Sequence, residues 1–342
     1  MKAYVLNGIG DLQYQTLPKP ELQSGWCLVQ VKAAGICSSD IPRIYTKGTY
    51  HFPTIPGHEF AGIVVETADA EHSDWIGKAV GVFPLIPCKE CPQCQQKHYE
   101  LCQNYDYIGS RRDGAFADYV AVPIWNLIPL KEGISFSEAA MLEPVAVALH
   151  AVKRANIHTG DSVAVIGTGL IGFVAAQWAK ARGAAKVDVI GRSDGKRALA
   201  EQLPGIGYYL EGEMHADSYN VVIEAVGTEA AIARSLEGVK AGGTVVLMGN
   251  PAGDITLKQN TYWRILRKQL TVTGTWNSSY EAAAVCDWTE ACDALAAGDI
   301  SVLPLISHSF SQENIEDGLA LMRTHTQPYC KVMTLWNQDE SV

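Results

Sequence analysis

The segment SVAVIGTGLIGFVAAQWAKARGAAKVDVIGRS, residues 162–193, constrains the fold more than any other stretch of the chain. It reads as an apolar strand, a glycine turn, a helix with apolar positions at a period near 3.6 that ends at Gly183, and a second apolar strand. Two strands joined through a helix run parallel and are buried on both faces, which is why they lack polar alternation. The turn itself is Gly167-Thr168-Gly169-Leu170-Ile171-Gly172. Gly167 permits the tight turn, Gly169 lets the backbone approach a pyrophosphate at the helix N-terminus, and Gly172 allows close helix-to-strand packing. The strand before it and the helix after it separate this turn from a plain glycine-rich loop.

The end of the second strand bears on which dinucleotide is taken. A site for NAD usually places an acidic residue there to accept from the ribose hydroxyls, whereas this chain has Gly191-Arg192-Ser193, followed by Asp194, Lys196 and Arg197. Without the carboxylate there is room for a 2′-phosphate, and Arg192 offers it a planar cationic fork. The pattern favours NADP over NAD. The alternative is that Asp194 serves the ribose and the basic residues begin a solvated helix.

Further apolar runs, YNVVIEAVG, GGTVVLMG and LTVTGTW, are expected to continue a parallel sheet buried on both faces. Ahead of residue 150 the texture differs: CLVQVKAAG, FAGIVVET, AVGVF and FADYVAV are short β-rich runs broken by Gly and Pro, as in an irregular all-β module. From EAAAVCDWTEACDALAAGDI onward, amphipathic helix and short strands return. A chain of 342 residues is longer than one core usually grows, so two domains are expected.

Charge narrows the partners. The net charge of -10 argues against nucleic acid or an anionic membrane, since an acidic field attracts neither. No apolar run reaches the roughly 18 residues of a membrane span, and AAMLEPVAVALHAV is interrupted by Glu143 and Pro144. The start, MKAYVLNGIGDLQ, lacks the charged and apolar regions of a secretory leader. These features read as a soluble cytoplasmic protein with a small-molecule partner.

Four cysteines crowd into PCKECPQCQQKHYELC with the spacing Cys88-x2-Cys91-x2-Cys94-x7-Cys102. Thiolates so closely spaced suit a tetrahedral structural zinc with no open position. The competing reading is two disulfides, which a reducing cytosol disfavours. The other cysteines, Cys27, Cys37, Cys286, Cys292 and Cys330, are scattered as buried apolar groups would be. A second set of metal-binding types is dispersed: Cys37 with Asp40 in GICSSD, His58 with Glu59 in PGHE, and Glu143 before Pro144. Taken singly they also fit a buried Cys, a turn His and a helix-starting Glu.

In that order, GICSSD, GHEFAG, the four-cysteine lobe, LEPVAVALHA and GTGLIG make the chain resemble the zinc-dependent medium-chain alcohol and polyol dehydrogenases over essentially its whole length. CSSDIPRIY, YDYIGSRRDGAFADYV and LRKQLTVTGTW are similar to the polyol phosphate dehydrogenase branch. The resemblance implies an α/β chain of two parts. One is a GroES-like irregular β catalytic domain from residues 1–149 and 282–342, with its zinc lobe at about 86–104; the other is a doubly wound Rossmann coenzyme domain at 150–281. It implies two zinc ions, one structural and one catalytic, and a homodimer or homotetramer.

Carried onto this sequence, the resemblance makes Cys37, His58 and Glu143 ligands of the catalytic zinc. Glu59 would bind the metal directly or through water, Asp40 would orient His58, and Ser39 would pass the substrate proton towards solvent. Glu143 stands where alcohol dehydrogenases often have a cysteine, so the chain follows the polyol pattern, and a harder oxygen ligand leaves zinc more electrophilic. The nicotinamide would be set by the glycine turn and by the strand ends at Val226-Gly227, Gly249-Asn250 and Gly274-Thr275. The implied reaction is reversible oxidation of a secondary hydroxyl of a polyol phosphate, such as galactitol-1-phosphate or a pentitol phosphate, to the ketose phosphate; the alternatives are a non-phosphorylated polyol, threonine or secondary-alcohol dehydrogenase, and a non-catalytic nucleotide-binding member of the superfamily. Arg111 and Arg112, with Arg43, are the candidate phosphate partners, because paired arginines chelate phosphate bidentately.

Overall fold

Strand Trp26–Ile36 runs through the first half of the computed structural model, which describes residues 1–337. It is buried on both faces: Val29, Val31 and Ile36 pack in the core, and even Gln30 and Lys32 are 5% exposed. Such a strand needs partners on every side. It pairs antiparallel with Glu59–Thr67, Tyr119–Pro123 and Lys331–Leu335 inside a seven-stranded sheet that also holds Ile306–Ser311, Ala79–Val82 and Leu127–Pro129. Its register sets Gly35 opposite Glu59 on one side and Met333 on the other. The strand ends carrying Cys37, Glu59 and Lys331 therefore meet at one corner. The two-stranded pair Leu85–Ile86 and Asp106–Tyr107 pinches off the cysteine lobe between its strands.

The chain divides into two compact units. One comprises Met1–Glu143, Ser279–Ala296 and Ile306–Val342; the other comprises Pro144–Ser278 and Ala297–Leu305. The division falls at Glu143 and Pro144, near the start of helix Leu142–Ala155, where the expectation placed it at 149 and 150 within the same helix. The return lies at Ser279 rather than 282, and Ala297–Leu305 rejoins the second unit, a detail for which the sequence carries no signal. The last five residues of the expected segment 282–342 lie outside the described residues.

The second unit holds six parallel strands in the order Ile206–Leu210, Lys186–Gly191, Ser162–Ile166, Tyr219–Glu224, Val239–Leu247 and Thr271–Gly274. The order reverses direction between Ser162–Ile166 and Tyr219–Glu224, which is the switch point where doubly wound sheets take their ligands. Helix Leu170–Ala181 follows the glycine turn and ends, as the sequence indicates, beside Gly183 at φ +93°. One expectation is corrected: Thr271–Gly274 is not buried on both faces but forms the sheet's edge, with Thr271, Val272 and Gly274 exposed. No helix among the described residues is long and apolar enough to cross a membrane.

Candidate metal centres and nucleotide site

The four cysteines of the lobe converge, with all four sulfur atoms within 4.8 Å of one another. Individual Sγ separations are 3.5 Å for Cys88 and Cys102, 3.9 Å for Cys88 and Cys94, and 4.0 Å for Cys91 and Cys102. A zinc–sulfur bond of about 2.3 Å in a tetrahedron sets sulfurs roughly 3.8 Å apart, whereas a disulfide needs about 2.05 Å. The donor set therefore fits zinc and rules out the disulfide reading; all nine cysteines are free thiols. Main-chain N–H groups point at the sulfurs: those of Gln103 and then Cys94 lower the Cys91 thiol to about 6, and the Cys88 N–H donates to Cys102 Sγ at 3.3 Å. These donors favour the thiolate at Cys88 and Cys91, whereas burial pushes the Cys94 and Cys102 thiols up. Trp125 packs on Tyr99 at 5.1 Å between ring centroids and closes the lobe's small core.

The second centre forms where the strand ends meet. Cys37, His58 and Glu59 place Sγ, a ring nitrogen and a carboxylate oxygen within 4.8 Å of one another, with His58 and Glu59 buried. Glu143 does not join within that spread; its carboxylate accepts from the Tyr107 hydroxyl at 3.3 Å. Burial, and then the charge of Glu59, pushes the Glu143 carboxyl up to about 7. Asp40 is fully buried and accepts the Cys37 N–H at 2.9 Å. Burial pushes its carboxyl up, but His58, Arg43 and that N–H outweigh it and hold Asp40 below the ordinary carboxylate range. His58 Nδ1 lies 3.5 Å from Asp40 Oδ1, an electrostatic contact, and makes no hydrogen bond. Burial pulls the imidazole down, yet Asp40 and Cys37 raise it well above its usual value.

The donor set itself shows that a metal fits: Cys37, His58 and Glu59 offer sulfur, nitrogen and oxygen atoms within 4.8 Å of one another, the mix of ligands that zinc takes.

Two residues here were not singled out from the sequence. Lys331, 3% exposed, donates to the Ile36 carbonyl at 3.2 Å and to Glu59 Oε2. It sits in CKVMTLW, which reads as an ordinary strand. Tyr107 reaches Glu143 and lies 5.8 Å from the His58 ring; burial, then Glu143, holds its hydroxyl protonated far above the usual range. Ser39, exposed, donates from Oγ to Cys37 Sγ at 3.3 Å.

The three candidate arginines have partners. Arg43 Nη1 is 2.6 Å from Asp40 Oδ1. Arg112 Nε is 2.5 Å from Asp106 Oδ2. The Arg111 guanidinium lies 4.2 Å from the Tyr50 ring centroid and 4.3 Å from that of Tyr105, leaving a buried Nε without a partner.

In the second unit, Gly167 adopts φ +123°, and a Cβ on Gly172 would run into the Gly167 carbonyl, so both positions require glycine. Gly169 caps the helix beginning at Leu170 without a side-chain acceptor, and a Cβ built on it meets nothing within 4 Å. Gly169 therefore leaves room for a phosphate to approach the helix N-terminus. Lys196 Nζ braces the turn by donating to the Thr168 carbonyl at 2.9 Å. Asp194 is held by Arg197 at 2.7 Å. Beyond the next strands, Val226 and Gly227 donate their N–H groups to the buried Glu224 at 2.8 Å each.

Residues 23–132 match the family described as alcohol dehydrogenase GroES-like domain, and residues 171–296 match zinc-binding dehydrogenase. Galactitol 1-phosphate 5-dehydrogenase of Escherichia coli is 32% identical over 88% of this chain and 90% of its own length. D-xylulose reductase A of Aspergillus oryzae is 29% identical over 92% and 91%. A solved structure from Sinorhizobium meliloti, described as a zinc-binding dehydrogenase bound to NADP, superposes with a TM-score of 0.88 at 30% identity, covering 98% of each chain. The chain belongs to the zinc-binding dehydrogenase family, with a GroES-like domain and a Rossmann domain, and is an oxidoreductase of the zinc-type polyol dehydrogenase group.

Proposed function

We propose that this protein oxidises a secondary hydroxyl of a sugar alcohol phosphate to the ketose phosphate, reversibly, with NADP as the hydride acceptor. The convergence of Cys37, His58 and Glu59 beside Glu143 carries the reading. Cys37, His58 and Glu143 are assigned as ligands of a catalytic zinc, with Glu59 in reach, and Cys88, Cys91, Cys94 and Cys102 as ligands of a structural one. When bound, zinc supplies the Lewis acidity that makes a hydroxyl acidic near neutral pH, and the dinucleotide supplies the hydride acceptor.

The chain's own residues set the rest. Ser39 stands exposed beside the Cys37 sulfur and moves the hydroxyl proton towards water. Asp40, anchored by Arg43 and by the Cys37 N–H, fixes the His58 ring. Lys331 holds Glu59, so that carboxylate keeps one oxygen engaged. Expected for Asp40→Asn is a zinc affinity ~10–100-fold weaker, measured by competition with a chelator. An unchanged affinity would remove Asp40 from the site.

The phosphate assignment draws support from the likeness to galactitol 1-phosphate 5-dehydrogenase. A second reading, an unphosphorylated polyol, is favoured by one observation: Arg112 and Arg43 already have carboxylate partners. Turnover of polyols and their phosphates with NADP and NAD separates the two. A kcat/KM higher for the phosphorylated member of each pair, reduced at least ~10-fold in Arg111→Ala on the phosphate alone, is the expected result. Equal effects on both members would move the assignment to the free polyol.

A further inference from the structure

The end of strand Lys186–Gly191 is filled from beneath. Tyr208, on the neighbouring strand Ile206–Leu210, sends its hydroxyl under Gly191 to donate to the Ser193 carbonyl at 2.6 Å. A Cβ placed on Gly191 would overlap that hydroxyl and lie 2.8 Å from both Tyr208 Cζ and Thr168 Cγ2. A tyrosine tip on a free side chain could swing away, but this one is 8% exposed and clamped. The Arg197 guanidinium sits 4.9 Å from its ring centroid, Arg197 Nη1 donates to the Tyr208 carbonyl at 2.9 Å, and Arg197 Nε is tied to Asp194 at 2.8 Å. Thr168 belongs to the glycine turn, so the obstruction is backed by the nucleotide site itself.

We propose that Tyr208 is a positioning residue for cofactor specificity. Its ring and hydroxyl occupy the space from which an acidic residue at position 191 would reach the ribose diol. Its bond to the Ser193 carbonyl sets the Gly191-Arg192-Ser193 loop so that Arg192 is left to meet a 2′-phosphate. Arg192 is exposed and makes no hydrogen bond or ion pair among the described residues, whereas the neighbouring Lys196 and Arg197 are both engaged. A guanidinium free at this place is a ready partner for a phosphate dianion. This rests on the reading that the turn at Gly167–Gly172 binds NADP, and it adds a consequence: Gly191 and Tyr208 are energetically coupled, so exchange of Gly191 alone cannot convert the cofactor preference.

The test is a double-mutant cycle on the zinc-loaded enzyme with Gly191→Asp, Tyr208→Ala and the pair, plus Tyr208→Phe. Dissociation constants for NADP and NAD are read from tryptophan fluorescence, and melting temperatures are taken without nucleotide. Gly191→Asp should lower the melting temperature and weaken both nucleotides; adding Tyr208→Ala should restore part of the melting temperature and tighten NAD at least ~10-fold over Gly191→Asp. Tyr208→Phe keeps the ring and loses only the bond to Ser193, so it should weaken NADP ~5–10-fold and NAD less. A Gly191→Asp variant that gains NAD affinity with Tyr208 in place would overturn the proposal, as would Tyr208→Phe weakening both nucleotides equally. Wild-type preference for NAD would instead refute the NADP reading, and the coupling in melting temperature would still report whether Tyr208 obstructs position 191.

Discussion

Replacing His58 by Ala is expected to remove turnover by at least ~1000-fold, about 4 kcal/mol of transition-state stabilisation, and to empty one of two zinc sites. The imidazole is the central member of the cluster: Cys37 and Glu59 converge on it, and Asp40 faces its other nitrogen. Its loss takes the nitrogen donor out of the set formed with Cys37 and Glu59 and leaves the buried Asp40 without the ring it faces. The His58 ring is buried, so alanine leaves a small cavity and a modest loss of stability is expected; nucleotide binding, which belongs to the other unit, should stay within ~2-fold of wild type. Metal analysis showing one zinc per chain together with intact nucleotide affinity is the expected pair of results. Wild-type turnover in the variant, or in enzyme verified to lack that zinc, would sink the assignment of this centre.

Local signals were legible in the sequence and register was not. The glycine turn and the cysteine quartet each occupy a short continuous stretch whose backbone demands can be read residue by residue, and both appear in the structure where the spacing places them. Cys37, His58 and Glu143 fall on separate elements, and only resemblance gathered them into one set. Lys331 shows why: it meets Glu59 across 272 residues of chain, because strand Trp26–Ile36 pairs with both Glu59–Thr67 and Lys331–Leu335. No pattern within CKVMTLW announces that pairing. Strand Ile206–Leu210, with a glycine and two tyrosines, lacks the apolar run by which its neighbours were found, and so the obstruction beneath Gly191 was invisible as well. The misread Leu270–Trp276 segment makes the converse point, since apolar composition identifies a strand but not whether another strand lies beyond it.

Cys102→Ser should damage the fold more than the chemistry. The lobe between Leu85–Ile86 and Asp106–Tyr107 is held by a two-residue strand pair at its neck and by a core of cysteines, Tyr99, Tyr105 and Trp125. That is too little apolar area to stabilise some twenty residues of loop unaided, so a zinc held by the four cysteines, as proposed, would supply most of the lobe's folding free energy. Serine retains the shape of Cys102 and can still accept the Cys88 N–H, but it gives up the sulfur ligand. The expected outcome is one zinc per chain instead of two, a melting temperature lower by several degrees, and rapid proteolytic cleavage within residues 87–105, while kcat at low temperature falls less than ~10-fold. Comparing Cys102→Ser with His58→Ala then separates the two metals: the first variant loses stability ahead of turnover, the second turnover ahead of stability. If both lost turnover equally while the lobe stayed resistant to protease, the quartet would have a part in the reaction, and the division into a structural and a catalytic zinc would be wrong.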